Sequence, residues 1–170
     1  MEPFTAVYTN EEVVVPTQSD ADSLYQNGYG YRKNKVHYLR GVEALYNVER
    51  RKIVVVDEET NMTHSFQDLL RKYSKKDKNI WVKFIVYKDL RTRGFIIEIK
   101  NEEFHIYERG DYREQPASYL IKIVSEGTPA TVQKLLDELD EIKEEKLTMK
   151  LAVVDRRGEI VYYGVEKKIF

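Results

Sequence analysis

Hydrophobic spacing changes repeatedly along this chain of 170 residues, and each change marks a predicted element. In the first half, short apolar runs bounded by polar residues are typical of strands, and apolar residues three or four positions apart are typical of helices. The predicted strands are 4–8, 13–15, 35–39 and 53–56. The predicted helices begin at the capping pattern Ser19–Asp22, at Gly41 and at Ser65–Asp68. Together they predict a small N-terminal α+β domain.

The second half predicts a different arrangement. A helix from about Asp77 to Arg93 ends at Gly94, because glycine readily adopts the left-handed conformation that closes a helix. A second helix is predicted to begin at Thr128-Pro129. The predicted strands are 95–100, 103–108, 118–125, 147–154 and 159–165. We therefore predict an α/β (mixed α+β) protein, with a 1–76 domain and a 77–170 domain whose mixed sheet is flanked by helices.

Composition narrows the class of protein. Lys and Arg number 28 and Asp and Glu 29, so the net charge of −1 provides no global positive field for nucleic acid. The chain has no cysteine, which excludes disulfides and thiolate sites. Because no apolar run approaches about 18 residues and no apolar leader opens the chain, we expect no membrane association and a soluble, cytoplasmic protein.

Few side chains suggest chemistry by spacing alone. The histidines at 37, 64 and 105 lack metal-ligand spacing, and no phosphate-binding glycine motif is present. We therefore predict no metal and no cofactor. Arg91 and Arg93 have two interpretations: they contact RNA phosphate, or they stabilise the carboxyl end of a helix. The run 29–35, which interleaves tyrosines and cations, is likewise either an RNA-stacking surface or a solvated loop.

Two segments carry a resemblance to a known family. Residues 38–48 resemble the "L-x-x-x-E-A-x-Y-L" helix of archaeal tRNA-splicing (tRNA-intron) endonucleases, and residues 86–95 resemble their "Y-x-D-L-R-x-R-G-Y" segment. Further similar segments follow in the family's order at 104–110, 118–121 and 151–155. The resemblance spans about residues 36–170 and implies an enzyme that cuts precursor tRNA at bulge-helix-bulge intron junctions, leaving a 2′,3′-cyclic phosphate and a 5′-hydroxyl without a metal.

The family's reaction uses a Tyr, a His and a Lys, and the resemblance locates these positions here. Tyr107 fills the tyrosine position, whereas Pro116 occupies the histidine position and Leu147 the lysine position. Segment 99–104 also lacks both glycines of the family's turn, which predicts that this turn is not tight. The resemblance therefore implies a structural subunit with an incomplete catalytic triad. An active homo-oligomer with a displaced acid and cation, or an RNA-binding assembly module outside splicing, remain alternatives.

For such a subunit the resemblance implies a catalytic partner, two copies of each chain and precursor tRNA as the ligand. In the family, the last strands of neighbouring subunits pair and a preceding loop docks into the opposite dimer. The residues implied for this interface are Asp155, Arg156, Arg157, Gly158, Glu159, Ile160, Val161, Tyr162, Tyr163 and Val165.

Overall fold

The computed structural model describes residues 2–168 and has a mixed α+β architecture. These residues form five helices and eleven strands, and the strands build two sheets. Contacts divide the chain into two compact units after Lys88, inside the fourth helix. The predicted fold class is confirmed, and the 1–76 and 77–170 domain limits stay a prediction. None of the helices within residues 2–168 has the length and apolarity needed to span a bilayer.

The first unit is built on a six-stranded sheet. Its order is β3-β4-β2-β1-β5-β6, with β1 and β5 parallel and the other pairs antiparallel. The strands are β1 (Phe4–Thr9), β2 (Glu12–Val15), β3 (Tyr31–Lys33), β4 (Val36–Leu39), β5 (Ile53–Asp57) and β6 (Thr63–His64). The helices are α1 (Gln18–Gln26), α2 (Gly41–Glu49) and α3 (Phe66–Ser74). Alternate strand residues such as Ala6, Val13, Val15 and Val55 are buried, so one face of the sheet forms the core.

Helix starts in the first unit follow the capping chemistry only in part. Ser65 is confirmed as a cap, because its hydroxyl accepts from the Asp68 amide at 3.1 Å while the Asp68 carboxylate accepts from the Ser65 amide at 2.9 Å. The predicted start at Ser19–Asp22 is wrong. Helix α1 begins at Gln18, where the Gln18 side chain donates to Asp22 Oδ1 at 2.9 Å and supports an earlier first turn.

The second unit contains a five-stranded sheet in the order β11-β10-β9-β8-β7. Its strands are β7 (Ile96–Lys100), β8 (Glu103–Tyr107), β9 (Tyr119–Ser125), β10 (Thr148–Val154) and β11 (Ile160–Val165). Helix α4 (Ile80–Thr92) enters this unit and ends before Gly94, whose φ of 91° confirms the predicted stop. Strands β9 and β10 are parallel, as their connection through α5 (Val132–Lys143) requires.

Helix α5 begins later than predicted. The Thr131 hydroxyl accepts from the Lys134 amide at 3.2 Å, so Thr131 is the cap and the predicted start at Thr128-Pro129 is wrong. Residues 128 and 129 lie in the exposed loop before the helix. The apolar side chains of α5, Leu135, Leu139 and the buried Ile142, form a cluster with Leu120 of β9 and Met149 of β10. Helix α5 therefore covers part of one face of the second sheet.

Three hairpins turn tightly without glycine. Each has two left-handed residues between its strands, with φ values of 49° and 64° at Asn10-Glu11, 50° and 65° at Asn34-Lys35, and 49° and 64° at Asn101-Glu102. Positive φ at both central residues is the requirement of a type I′ turn, and asparagine tolerates it well. The expectation that 99–104 could not turn tightly is therefore wrong, because Asn101 replaces glycine.

Acid is expected to weaken the turn after β5. Asp57 Oδ1 accepts from the Thr60 and Glu59 amides at 3.0 Å, and Oδ2 lies 3.0 Å from His64 Nε2. The Thr60 amide, and then His64, lower the pKa of Asp57 from 3.8 to about 2. Since the folded pKa is the lower one, its stabilisation is present above pH 3.8 and is lost as pH falls towards 2. We expect Asp57→Asn to flatten the decline in unfolding free energy over that range.

Urea denaturation of the full chain at a series of acid pH values would check this expectation. Glu59→Gln is the matched control, because Glu59 is exposed in the same turn and the substitution also removes one negative charge. The control should keep the wild-type pH profile. A wild-type profile for Asp57→Asn would contradict the assignment.

Candidate functional site

The hydroxyl of Tyr107 is held by a carboxylate of the neighbouring strand. Tyr107 lies at the end of β8, which pairs with β7 so that His105 stands opposite Glu98. Tyr107 Oη donates to Glu98 Oε2 at 2.6 Å, and Lys100 Nζ lies 3.2 Å from the same oxygen. Tyr112 packs edge-on against the Tyr107 ring. The tyrosine hydroxyl therefore donates a hydrogen bond to an anion of its own chain.

Both titratable rings on this face have shifted pKa values. Burial, followed by the hydrogen bond to Glu98, raises the pKa of Tyr107 well above 10, so the phenol stays protonated at neutral pH. Burial and the nearby Lys100 ammonium lower the pKa of His105 below 6.5. His105 Nε2 lies 3.8 Å from Glu103 Oε2, beyond hydrogen-bonding distance. The site thus combines a neutral imidazole with a phenol that is a weaker acid than usual and keeps its proton.

The position that the resemblance implies for the family's histidine falls on a loop. Pro116 is exposed between β8 and β9, and its ring nitrogen carries no proton to transfer. The loop is attached near its start by Arg109, whose Nε donates to the Arg93 carbonyl oxygen at 3.1 Å. Near its end, the Ser118 amide donates to the Ile106 carbonyl oxygen at 2.9 Å. These contacts hold the start of the loop to the turn after α4 and its end to strand β8, without supplying an acid.

The position that the resemblance implies for the family's lysine falls in an apolar cluster. Leu147 is half-buried and packs against Leu120, Ile142 and Met149 under helix α5. The adjacent Lys146 is exposed and has a φ of 57°, because the chain reverses there between α5 and β10. Leu147 therefore contributes to packing and provides no charge.

Strand β11 lies at one edge of the second sheet and exposes large apolar side chains. Val161 and Tyr163, which share one face of the strand, are 51% and 54% exposed. Ile160, Tyr162 and Val165 are less exposed. Tyr162 Oη donates to Asp89 Oδ2 at 2.7 Å, which anchors the strand to α4. An edge strand of this kind can pair with another chain.

The turn from Asp155 to Glu159 directs its first carboxylate inward. Asp155 Oδ1 accepts from the Arg157 amide at 2.8 Å and from the Glu159 amide at 2.9 Å. Gly158 has a φ of 83°, a conformation that glycine adopts without strain. The Arg156 amide donates to Glu126 Oε2 at 3.1 Å. Both arginine side chains are exposed, so the turn presents cations as well as Glu159.

Arg93 contacts its own chain. Its Nε lies 3.1 Å from Asp89 Oδ2, and its guanidinium lies 5.2 Å from the centre of the Tyr162 ring. Arg91 lies in the last turn of α4 and is half-buried. The contacts of Arg93 favour the helix-stabilising interpretation, while an RNA contact by Arg91 and Arg93 stays a prediction.

The three histidines are dispersed. His37 is buried in the first unit, His64 pairs with Asp57, and His105 lies on β8. Within residues 2–168, no group of three or more His, Cys, Asp or Glu side chains could hold a metal ion.

Glu98 is the site residue that sequence reasoning missed. The signal was available in the hairpin, because a two-residue turn at Asn101-Glu102 fixes Lys100 opposite Glu103 and hence Glu98 opposite His105. Strand alternation then puts Glu98 and Tyr107 on the same face of the sheet, as diagonal neighbours on adjacent strands. Because the missing glycines predicted that residues 99–104 do not turn tightly, the strand register was not inferred from the sequence.

Comparison with known proteins agrees with this architecture. The tRNA intron endonuclease N-terminal domain model matches residues 5–70, and the catalytic C-terminal domain model matches residues 80–162. A tRNA-splicing endonuclease of Pyrococcus furiosus is 34% identical over 82% of this chain and 81% of its own length. Those of Pyrococcus abyssi and Methanococcus vannielii are 29% and 28% identical, covering 98% and 94% of this chain and 98% and 92% of their own lengths. The chain therefore belongs to the tRNA intron endonuclease family.

Proposed function

We propose that this chain is the structural subunit of a tRNA-splicing endonuclease. It would assemble with a catalytic subunit that cleaves precursor tRNA at bulge-helix-bulge junctions, giving 2′,3′-cyclic phosphate and 5′-hydroxyl ends. The observation that carries the proposal is the state of Tyr107, whose hydroxyl donates to Glu98. The proposal is also supported by the resemblance, which implies that Pro116 and Leu147 occupy the positions of the family's acid and cation.

The chemistry of RNA cleavage explains why the contact between Tyr107 and Glu98 is unfavourable for catalysis by this chain. A base must take the proton of the 2′-hydroxyl, an acid must protonate the departing 5′-oxygen, and a cation must stabilise the phosphorane. Here the raised pKa of Tyr107 keeps its proton bound, and the Glu98 carboxylate would repel a phosphate at the same place. The proposed reaction in the complex needs no metal, because protein side chains of the catalytic subunit supply these three functions.

A chain without catalytic groups still has a function in such an enzyme. Two cuts in one RNA require two active sites held at a fixed separation, and a second subunit supplies that frame. The exposed face of β11 with Val161 and Tyr163 suits pairing with another subunit. We propose two copies of each chain, with the Asp155–Glu159 turn contacting the opposite pair. We also propose that the complex binds precursor tRNA in the cytoplasm.

A self-sufficient homo-oligomeric endonuclease is the second candidate. It is favoured by the position of Lys100, whose ammonium lies 3.2 Å from the Glu98 oxygen that accepts the Tyr107 hydrogen bond. His105 projects from the same face of β8. In that case Lys100 and His105 would replace the missing cation and acid.

Cleavage assays separate the two candidates. The purified chain is incubated with an intron-containing precursor tRNA, first alone and then with a catalytic tRNA-splicing endonuclease subunit of the same source. We expect cut RNA only in the mixture, because only the partner carries a complete triad. Cleavage by the chain alone would favour the homo-oligomer, and cleavage by the partner at an unchanged rate without this chain would contradict the structural role.

A further inference from the structure

Basic and aromatic residues are concentrated in one stretch of the first unit. Residues 23–42 contain four of the 13 tyrosines, four cations and no Asp or Glu, in a chain that has 29 acidic residues. This stretch includes the β3–β4 hairpin, which the tight Asn34-Lys35 turn closes. This stretch of the sequence is therefore basic although the net charge of the chain is −1.

The register of the hairpin sorts these side chains onto two faces. Arg32 stands opposite the buried His37, so the two share one face of the hairpin, where the exposed Arg32 side chain contacts Asp22 and Tyr25 of α1. Tyr31, Lys33, Val36 and Tyr38 share the other face by strand alternation. Lys33, Lys35 and Val36 are exposed, while the two tyrosines are half-buried. The outer face thus carries two aromatic rings bordered by lysines.

The aromatic rings are held rigidly. Tyr31 and Tyr38 lie directly opposite each other with ring centres 5.5 Å apart and planes only 18° from parallel. The Arg40 guanidinium lies 4.4 Å from the centre of the Tyr31 ring. Because these contacts join β3, β4 and the residue before α2, the rings are ordered before any ligand arrives, which reduces the entropy cost of binding.

Two lysines of this surface are available to an anion. Arg32 is paired with Asp22, but neither Lys33 nor Lys35 has an ion pair within residues 2–168. Stacked aromatic rings beside unpaired cations are the combination by which proteins bind unpaired nucleotides, the rings contacting bases and the ammonium groups contacting phosphates. A protein or membrane partner would use the cations but would not require parallel rings beside them.

We infer that the outer face of the β3–β4 hairpin, formed by Tyr31, Lys33, Lys35, Tyr38 and Arg40, binds RNA with unpaired nucleotides. The inference rests on the proposed function for its choice of RNA, and it gives the non-catalytic chain a direct contact with the substrate in addition to its role as a frame.

The test is equilibrium binding of the full chain to a precursor tRNA transcript, with 2′-deoxy nucleotides at the cut sites to prevent cleavage. Lys33→Glu/Lys35→Glu is compared with Lys134→Glu/Lys143→Glu, which changes the net charge equally on the exposed face of α5. Glutamate is acceptable at position 35, because Glu11 and Glu102 occupy the same turn position in the other two hairpins. Circular dichroism confirms that each variant is folded.

We expect the hairpin variant to raise Kd about tenfold or more and to reduce the dependence of log Kd on log salt by about 1.4, as loss of two phosphate contacts predicts. The α5 control should change neither. Tyr38→Leu should raise Kd about tenfold, whereas Tyr38→Phe, which keeps the ring, should bind as wild type. A fully paired RNA duplex should bind more weakly than the transcript.

Other outcomes overturn the inference. Equal losses in both charge variants would indicate general electrostatic attraction, and no loss in either would exclude the hairpin. Equal binding by Tyr38→Leu and Tyr38→Phe would exclude stacking. If the hairpin variant bound RNA normally but no longer associated with the catalytic subunit, the face would be a protein interface. Because binding by the full chain is scored without cleavage, these results are independent of whether the structural-subunit proposal holds.

Discussion

Replacement of Glu43 by alanine is expected to destabilise the first unit by about 3–5 kcal/mol. Glu43 lies in α2 and is only 2% exposed. Its Oε1 accepts from the Gly30 amide at 3.0 Å and its Oε2 accepts from the Arg40 amide at 2.8 Å. Alanine would leave both amides without this partner, and an unsatisfied buried donor costs about 1–3 kcal/mol. The glutamate of the family's "E-A" helix motif therefore joins the start of α2 to the connection before β3.

Urea denaturation of the full chain, followed by circular dichroism, would measure this effect. Glu43→Gln keeps a carbonyl acceptor and should lose about half as much as the alanine variant. Glu49→Ala is the control, because Glu49 forms an exposed ion pair with Lys88 and its loss should cost less than about 1 kcal/mol. If the two alanine variants proved equally stable, Glu43 would not connect these segments.

Val161→Asp/Tyr163→Asp is expected to weaken association with the catalytic subunit at least a hundredfold, or about 3 kcal/mol. Both side chains are more than half exposed on the edge strand β11. In the proposed complex they would be buried, so each aspartate would carry a charge into an apolar contact, which is strongly unfavourable. The isolated chain should lose little stability, because neither side chain is in its core.

Sedimentation or native mass measurement of the co-expressed chains would check the loss of association. Val132→Asp provides a control. Val132 is 74% exposed, but it lies at the start of α5 and not on the edge strand β11. The control complex should keep its mass. An intact complex in the double variant would exclude β11 as the contact surface.

Strong periodicity made most of the fold predictable. Strands such as 53–56 and 118–125 and the helix ended by Gly94 were located from apolar spacing and one glycine. Strands β3 and β6 were missed, because three and two residues are too few to show alternation. The starts of α1 and α5 were misplaced, since several nearby hydroxyl and carboxyl side chains can cap a helix and packing chooses among them.

For the site, the resemblance predicted one filled position and two positions without the expected acid and cation, and these assignments stay predictions. Motif spacing gave Tyr107, Pro116 and Leu147, because these depend on order along the chain. The contact of Tyr107 with Glu98 depends on strand register, and that depended on a turn formed by Asn101 in place of glycine. Side-chain pairing across strands therefore carried the information that a linear motif lacks.

Single-turnover cleavage by the reconstituted complex, with Tyr107→Phe in this chain alone, distinguishes a structural subunit from a catalytic one. Phenylalanine keeps the buried ring and removes the hydroxyl that donates to Glu98. With the complex in saturating excess over the RNA, we expect a cleavage rate within about twofold of wild type. The same change at the catalytic subunit's own tyrosine should lower the rate about a hundredfold or more. A comparable loss from Tyr107→Phe would show that this chain performs chemistry and would contradict its assignment as a structural subunit.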